Sequence, residues 1–318
     1  MTITGPTGIP LASGASLDKD AEWFERLLKQ HHITVANTSA MRTDLDIMKQ
    51  LGRAFRGEET LPDSSDVPHL FRRALGLDFI IKAICRATKT SSANEILGKL
   101  GLFSGVDVLL TDAGPQSTDR DLAWEVIVAA LSCCFTTDLR FEEPDVLCNY
   151  EGTKWGSACK ILYTSKRDNQ IDRIVGGAKQ LELSAANLGC VVVNVSNLIN
   201  HQKYFGPMPG NSSEFGSFRS PEIPQGLLKE DLTGIVENLD KRSLITRLTT
   251  DLQTGEDRIK TRGVIFFAQT VCGVRAVPML MTQCDWYVFR RIAGVESSYF
   301  NILNHFGQTT LPGVLVCP

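Results

Sequence analysis

Two residue types that could do acid, base or metal chemistry sit close together between residues 141 and 163, in Phe-Glu-Glu-Pro-Asp-Val-Leu-Cys-Asn-Tyr-Glu-Gly-Thr-Lys-Trp-Gly-Ser-Ala-Cys-Lys-Ile-Leu-Tyr. Asp145 follows a proline on a first strand-like run, and Lys160 lies within a second, with a turn between them. Side chains alternate along a strand, so Asp145 and Leu147 share one face of their strand while Ala158, Lys160 and Leu162 share one face of theirs, and the acid and the amine can converge. An acid and an amine set in apolar strands are costly to bury unless paired, which points to a functional site. The competing reading is a surface hairpin.

Two flanking helices add polar groups. Beyond its first turn the stretch from Asp119 to Leu131 is apolar on nearly every face, the pattern of a buried helix, and Glu125 is its only charge there. A carboxylate buried without a partner costs several kcal/mol, so Glu125 calls for a cation or a metal, unless its head reaches solvent at the helix edge. After the hairpin, Ile174, Ala178, Leu181, Ala185 and Leu188 form one helical stripe flanked by Gln180, whose amide could reach the cavity the hairpin frames. Gly189 reads as the cap of that helix. Cys190 to Val195 reads as a short buried strand of a parallel crossover, and helix followed by strand argues for an α/β sheet.

The ordered series is helix with Glu125, strand with Asp145, strand with Lys160, helix with Gln180, buried strand. It resembles the PD-(D/E)xK nuclease superfamily, the restriction-endonuclease-like fold. The matching residues are Pro144-Asp145 and Ala158-Cys159-Lys160, and the likeness covers about residues 119–199, a quarter of the chain. The resemblance implies an α-β-β-β-α-β core with a mixed sheet and hydrolysis of phosphodiester bonds, in DNA, with Mg²⁺ or Mn²⁺. It implies Asp145 as the central metal ligand, Glu125 assisting through water, and the carbonyl of Cys159 as a further ligand. Lys160 would stabilise the attacking hydroxide or the phosphate, and Gln180 would orient Lys160 or the nucleophile.

The family places Asp or Glu where this chain has Ala158, and a methyl cannot ligate a metal. If that ligand supplies roughly 3 to 5 kcal/mol to the transition state, its absence slows cleavage by about 10² to 10⁴. Three accounts of Ala158 stand: an inactivating substitution, a natural inactive module that binds nucleic acid or protein, or a neighbouring acid (Glu142, Glu143 or Glu182) in the ligand role. Glu142 and Glu143 read as solvated, and Glu182 should point away, about 200° round the helix from Gln180.

The whole chain of 318 residues, 43% hydrophobic and 22% charged, suits a large core in two units. The expectation is a flexible tail over 1–16, a mainly helical region over 17–115 that meets substrate or a protein partner, and a nuclease-like domain over 116–318. Within the last, 201–226 reads as an insertion loop whose Tyr204, Phe205, Phe215 and Phe218 either stack on bases or pack the loop down. A net charge of -3 gives no global basic field, so nucleic-acid contact must rest on a local patch. Arg53, Arg56, Arg72, Arg73, Lys82, Arg86 and Lys89 form either such a patch or a solvated helix face. Nine scattered cysteines without C-x-x-C spacing argue against zinc, and fit a reducing, cytoplasmic setting. No signal peptide or membrane span is read. Cutting both strands of a duplex implies a homodimer, and a part in phage defence or as a toxin is an analogy with other stand-alone nucleases.

Overall fold

The computed structural model describes residues 16–60, 67–100, 118–133, 135–205, 207–208, 211–215, 217–239, 244, 246–248, 260–275 and 277–288. The expected tail lies almost wholly outside these residues, and so does the expected domain boundary between 115 and 116.

The expected hairpin is present, as β2 (Val146–Tyr150) and β3 (Thr153–Ile161). Its two linking residues, Glu151 and Gly152, both have positive φ, at 47° and 80°. This is the two-residue connection whose twist suits flanking strands, and the glycine adopts it without a Cβ penalty. A short β1 (Thr137–Arg140) pairs antiparallel with the outer edge of β2. From β3 the chain crosses through α6 (Arg167–Leu183) to β4 (Leu188–Asn194), which lies parallel to β3. A second crossover carries a small ribbon of β5 (Pro207–Met208) and β6 (Asn211–Phe215), then α7 (Glu222–Asn238), and leads to β7 (Thr261–Val274), parallel to β4. Strand β8 (Val277–Val288) folds back on β7, completing a six-stranded mixed sheet in the order β1-β2-β3-β4-β7-β8.

Alternation along these strands divides the core into two layers. One face holds Ala158, Leu162, Val191, Val193, Val264 and Phe266 against the apolar sides of α6 and α7. The other holds Cys159, Ile161, Val192, Ile265 and Phe267 against α5 (Thr118–Ser132) and the helices before it: α1 (Leu17–Gln30), α2 (Ala40–Phe55), α3 (Val67–Ala87) and α4 (Ala93–Leu100). The helices preceding α5 thus share one continuous apolar cluster with the sheet. Trp124 ties α5 down: its indole N–H donates to the Val192 carbonyl at 3.0 Å, and its ring lies 4.9 Å from that of Phe267.

Three readings need correction. Helix α6 stops at Leu183, so Ala185 and Leu188 are not on its stripe, and Gly189 belongs to β4 rather than to a cap. The glycine is required there for strand packing, because a Cβ at 189 would stand 2.1 Å from the Gly156 carbonyl oxygen. The span 201–226 is not a bare loop: it contains a helical turn over His201–Lys203, the small ribbon and the start of α7. Of its aromatics, Tyr204 is buried with its hydroxyl on Asp231 at 2.6 Å, and Phe205 packs 5.8 Å from Phe71. Packing therefore takes these two rings, while the Phe215 side chain lies outside the described residues. Among the described residues, no helix is long and apolar enough to cross a membrane.

Candidate active site

Strand β2 leaves the sheet before β3 ends, since their pairing runs only from Tyr150↔Thr153 to Val146↔Ser157 while β3 continues to Ile161. The resulting fork leaves backbone groups of β3 without a strand neighbour. Asp145, the residue just before β2, takes up one of them: the Cys159 N–H donates to its Oδ2 at 2.6 Å. Within an antiparallel pair the N–H and C=O of one residue point to the same edge, so the Cys159 carbonyl is directed to this side as well. Lys160, one residue on, reaches round from the α6 face and donates its ammonium to the same Oδ2 at 3.1 Å. Neither bond uses Oδ1.

Glu125 approaches the fork from the α5 face. Burial pushes its carboxyl up to about 7, the charge of Asp145 pushes the same way, and Lys99 and Lys160 pull against them. Burial likewise raises Asp145 above the usual carboxylate range, in spite of Lys160 and the Cys159 N–H. Two acids from separate elements thus share one electrostatic site, and the nearby cations do not fully compensate them. An arrangement of this kind favours an added cation.

The donor set is hard oxygen: two carboxylates and a strand carbonyl. Mg²⁺ commonly binds one or two carboxylates and keeps several waters, so the set fits that ion and the similar Mn²⁺. It does not fit a thiolate-bound metal, because burial and the two carboxylates hold the Cys159 thiol well above its ordinary pKa. Among the described residues, no group of three or more His, Cys, Asp or Glu is placed to hold a metal ion.

Other expected members stand differently. The Gln180 Oε1 is buried without a hydrogen-bond partner, so Lys160 does not donate to it. What lies against the Lys160 stem is Gly177, one turn earlier on α6, where a Cβ would meet Lys160 Cε at 3.1 Å and Cγ at 3.3 Å. Ala158 is fully buried in the apolar layer with Ile174, Val175, Ala178 and Val191. Glu182 accepts from the Lys260 N–H at 3.0 Å and the Thr261 N–H at 2.8 Å, so it is engaged away from the fork. Glu142 is exposed and pairs with Arg140, whereas the charge of exposed Glu143 is felt at Asp145. In the basic run, Arg53, Arg56, Arg73 and Lys82 bind Glu59, Asp18, Asp44 and Asp78 respectively, which commits these four to the helical layer.

Compared with protein-family models, with curated proteins and with solved structures, the chain finds no match. Two residues of the site were not singled out by the sequence reading. Lys99 lies 3.5 Å from Glu125 Oε2, and no local pattern announces that, since it comes from a different helix. Gly177 did carry a signal: paired glycines inside a helical stripe mark a close approach.

Proposed function

We propose that this chain is a cytoplasmic, metal-dependent nuclease that hydrolyses phosphodiester bonds in DNA, slowed by Ala158, and acting as a homodimer where both strands are cut. The observation that carries this reading is the convergence of Glu125, Asp145, Lys160 and the Cys159 backbone at the fork between β2 and β3. The element order α5-β1-β2-β3-α6-β4, with β3 and β4 parallel, is the order expected of a restriction-endonuclease-like core and supports it.

A bound Mg²⁺ or Mn²⁺ would supply an activated water and offset charge on the transferring phosphoryl group. Asp145 and Glu125 would hold that ion, with the Cys159 carbonyl beside them. Asp145 is oriented for this in advance by the Cys159 N–H and by Lys160. Lys160, with its stem confined by Gly177, presents an ammonium to the oxygen on which negative charge grows, the position where a fixed cation stabilises the transition state most.

The test is Mn²⁺ binding by calorimetry alongside cleavage of plasmid and linear DNA. Wild type should bind Mn²⁺ and cut slowly, Asp145→Asn should lose both, and Lys160→Ala should lose cleavage. Absence of Asp145-dependent binding, together with no cleavage by wild type or Ala158→Glu, would overturn the reading. The enclosure of Ala158 among apolar side chains favours a second reading, a binding module without chemistry. It predicts salt-sensitive DNA binding that is indifferent to metal and to Asp145→Ala.

A further inference from the structure

Lys160 and Lys99 flank the two carboxylates from opposite faces of the sheet. Lys160 belongs to the α6 face, while Lys99, on α4, reaches Glu125 from the α5 face at 3.5 Å. Its side chain keeps 26% of its surface exposed, and its ammonium stands 4.8 Å from the centroid of the Phe141 ring. Phe141 lies between β1 and Asp145, so the ring holds Lys99 at the rim of the fork by a contact independent of Glu125. The distance to Glu125 exceeds that of a tight charge-assisted hydrogen bond, about 2.7 to 2.9 Å. An ammonium placed this way is loosely held by an acid and separately anchored by a ring, and it opens to solvent.

Resting on the nuclease reading, we propose that Lys99 is a phosphate-binding residue for the nucleic-acid backbone that also competes with the metal for Glu125. In the metal-free protein it neutralises Glu125. When the cation takes up Glu125, the ammonium stays on Phe141 and turns to a backbone phosphate beside the one being cut. Lys99 therefore opposes metal binding in the free protein and supports binding of nucleic acid once metal is present.

The two effects have opposite signs, which a merely structural lysine would not produce. Lys99→Ala should bind Mn²⁺ about 3- to 10-fold more tightly than wild type in the absence of DNA, since a like charge near the ion has gone. With Mn²⁺ present and a duplex carrying non-hydrolysable phosphorothioate linkages, it should bind DNA about 3- to 10-fold more weakly, with a salt slope smaller by about one. Lys99→Arg should retain DNA affinity, and circular dichroism with a thermal melt checks that each variant is folded. Unchanged or weaker Mn²⁺ binding by folded Lys99→Ala, or unchanged DNA affinity, would overturn the proposal while Asp145-dependent Mn²⁺ binding in wild type leaves the nuclease reading standing. If wild type shows no such binding, both fall together.

Discussion

The molecule contains two clusters of carboxylates and lysines in different settings, two acids with Lys82 in the helical layer and two acids with Lys160 and Lys99 at the fork. In the helical layer Lys82 lies 2.6 Å from Asp78 and 3.6 Å from Asp20. At the fork Lys160 lies 3.1 Å from Asp145, with Glu125 beyond it. Both groups contain a buried aspartate raised by desolvation, Asp78 to about 6. The first is built on one helix at i, i+4 with Asp20 added from α1, it is almost sealed, and its lysine is in reach of both acids. The second draws on separate helices and strands around a gap in strand pairing, and each of its two lysines pairs with a different acid. Residue type and burial alone do not separate the two clusters. The opening in the strand pairing does.

The largest expected effect separates the two groups directly. Asp145→Ala should lower DNA cleavage by about 10³ or more, as removal of a central metal ligand does, with a small change in melting temperature. Asp78→Ala should do the reverse, leaving Lys82 short of its nearest partner at a cost of about 3 to 5 kcal/mol in urea unfolding while Mn²⁺ binding persists. Loss of metal binding in Asp78→Ala protein that is still folded would erase the distinction.

Next in size is Ala158→Glu, which sets a carboxylate in the apolar layer beneath α6. It should destabilise the metal-free protein by about 2 to 4 kcal/mol, and saturating Mn²⁺ should return part of that if the new carboxylate turns to the fork. Destabilisation with no metal response would mean that position 158 faces only the core.

A pH experiment comes third. A carboxyl raised in the folded state favours the protonated form, so its contribution to stability is present below the unfolded pKa, near 4.5, and is lost as pH rises through about 7. Glu125→Gln removes this loss, and should stabilise the metal-free protein at pH 8 by about 1 to 2 kcal/mol, the full shift being screened at a partly open site. A wild type whose stability does not fall relative to Glu125→Gln between pH 5 and 8 would contradict the raised acid. The smallest effect is expected from Gly177→Ala, whose methyl crowds the Lys160 stem and Val191. Cleavage should fall about 2- to 5-fold with Mn²⁺ affinity intact, since a shift of a few tenths of an ångström disturbs aim rather than charge.

Much of this site was legible in the sequence because its signals are local. Alternation in two runs joined by a turn marked the hairpin, a helix apolar all round marked α5, and the lone charge of Glu125 within it stood out. Lys99 was not legible, because its meeting with Glu125 depends on how α4 packs on α5. Gln180 was placed on the right helix, but a helical wheel gives direction and not depth, and its buried carbonyl oxygen stops short of Lys160. Gly189 was misread because glycine after a helical stripe is also the commonest stop signal. The actual constraint, the Gly156 carbonyl on a neighbouring strand, is visible only once the strands are paired.

The early departure of β2 has a consequence for how readily this protein could change its trade. Asp145 stands outside the strand ladder, tied to β3 by a side chain and not by its own peptide group. Exchanging it forfeits two hydrogen bonds, from the Cys159 N–H and the Lys160 ammonium, and no strand pairing, so the sheet survives its revision. On the nuclease reading proposed above, a lineage built on this sheet could drop catalysis and later regain it at little cost to strand pairing.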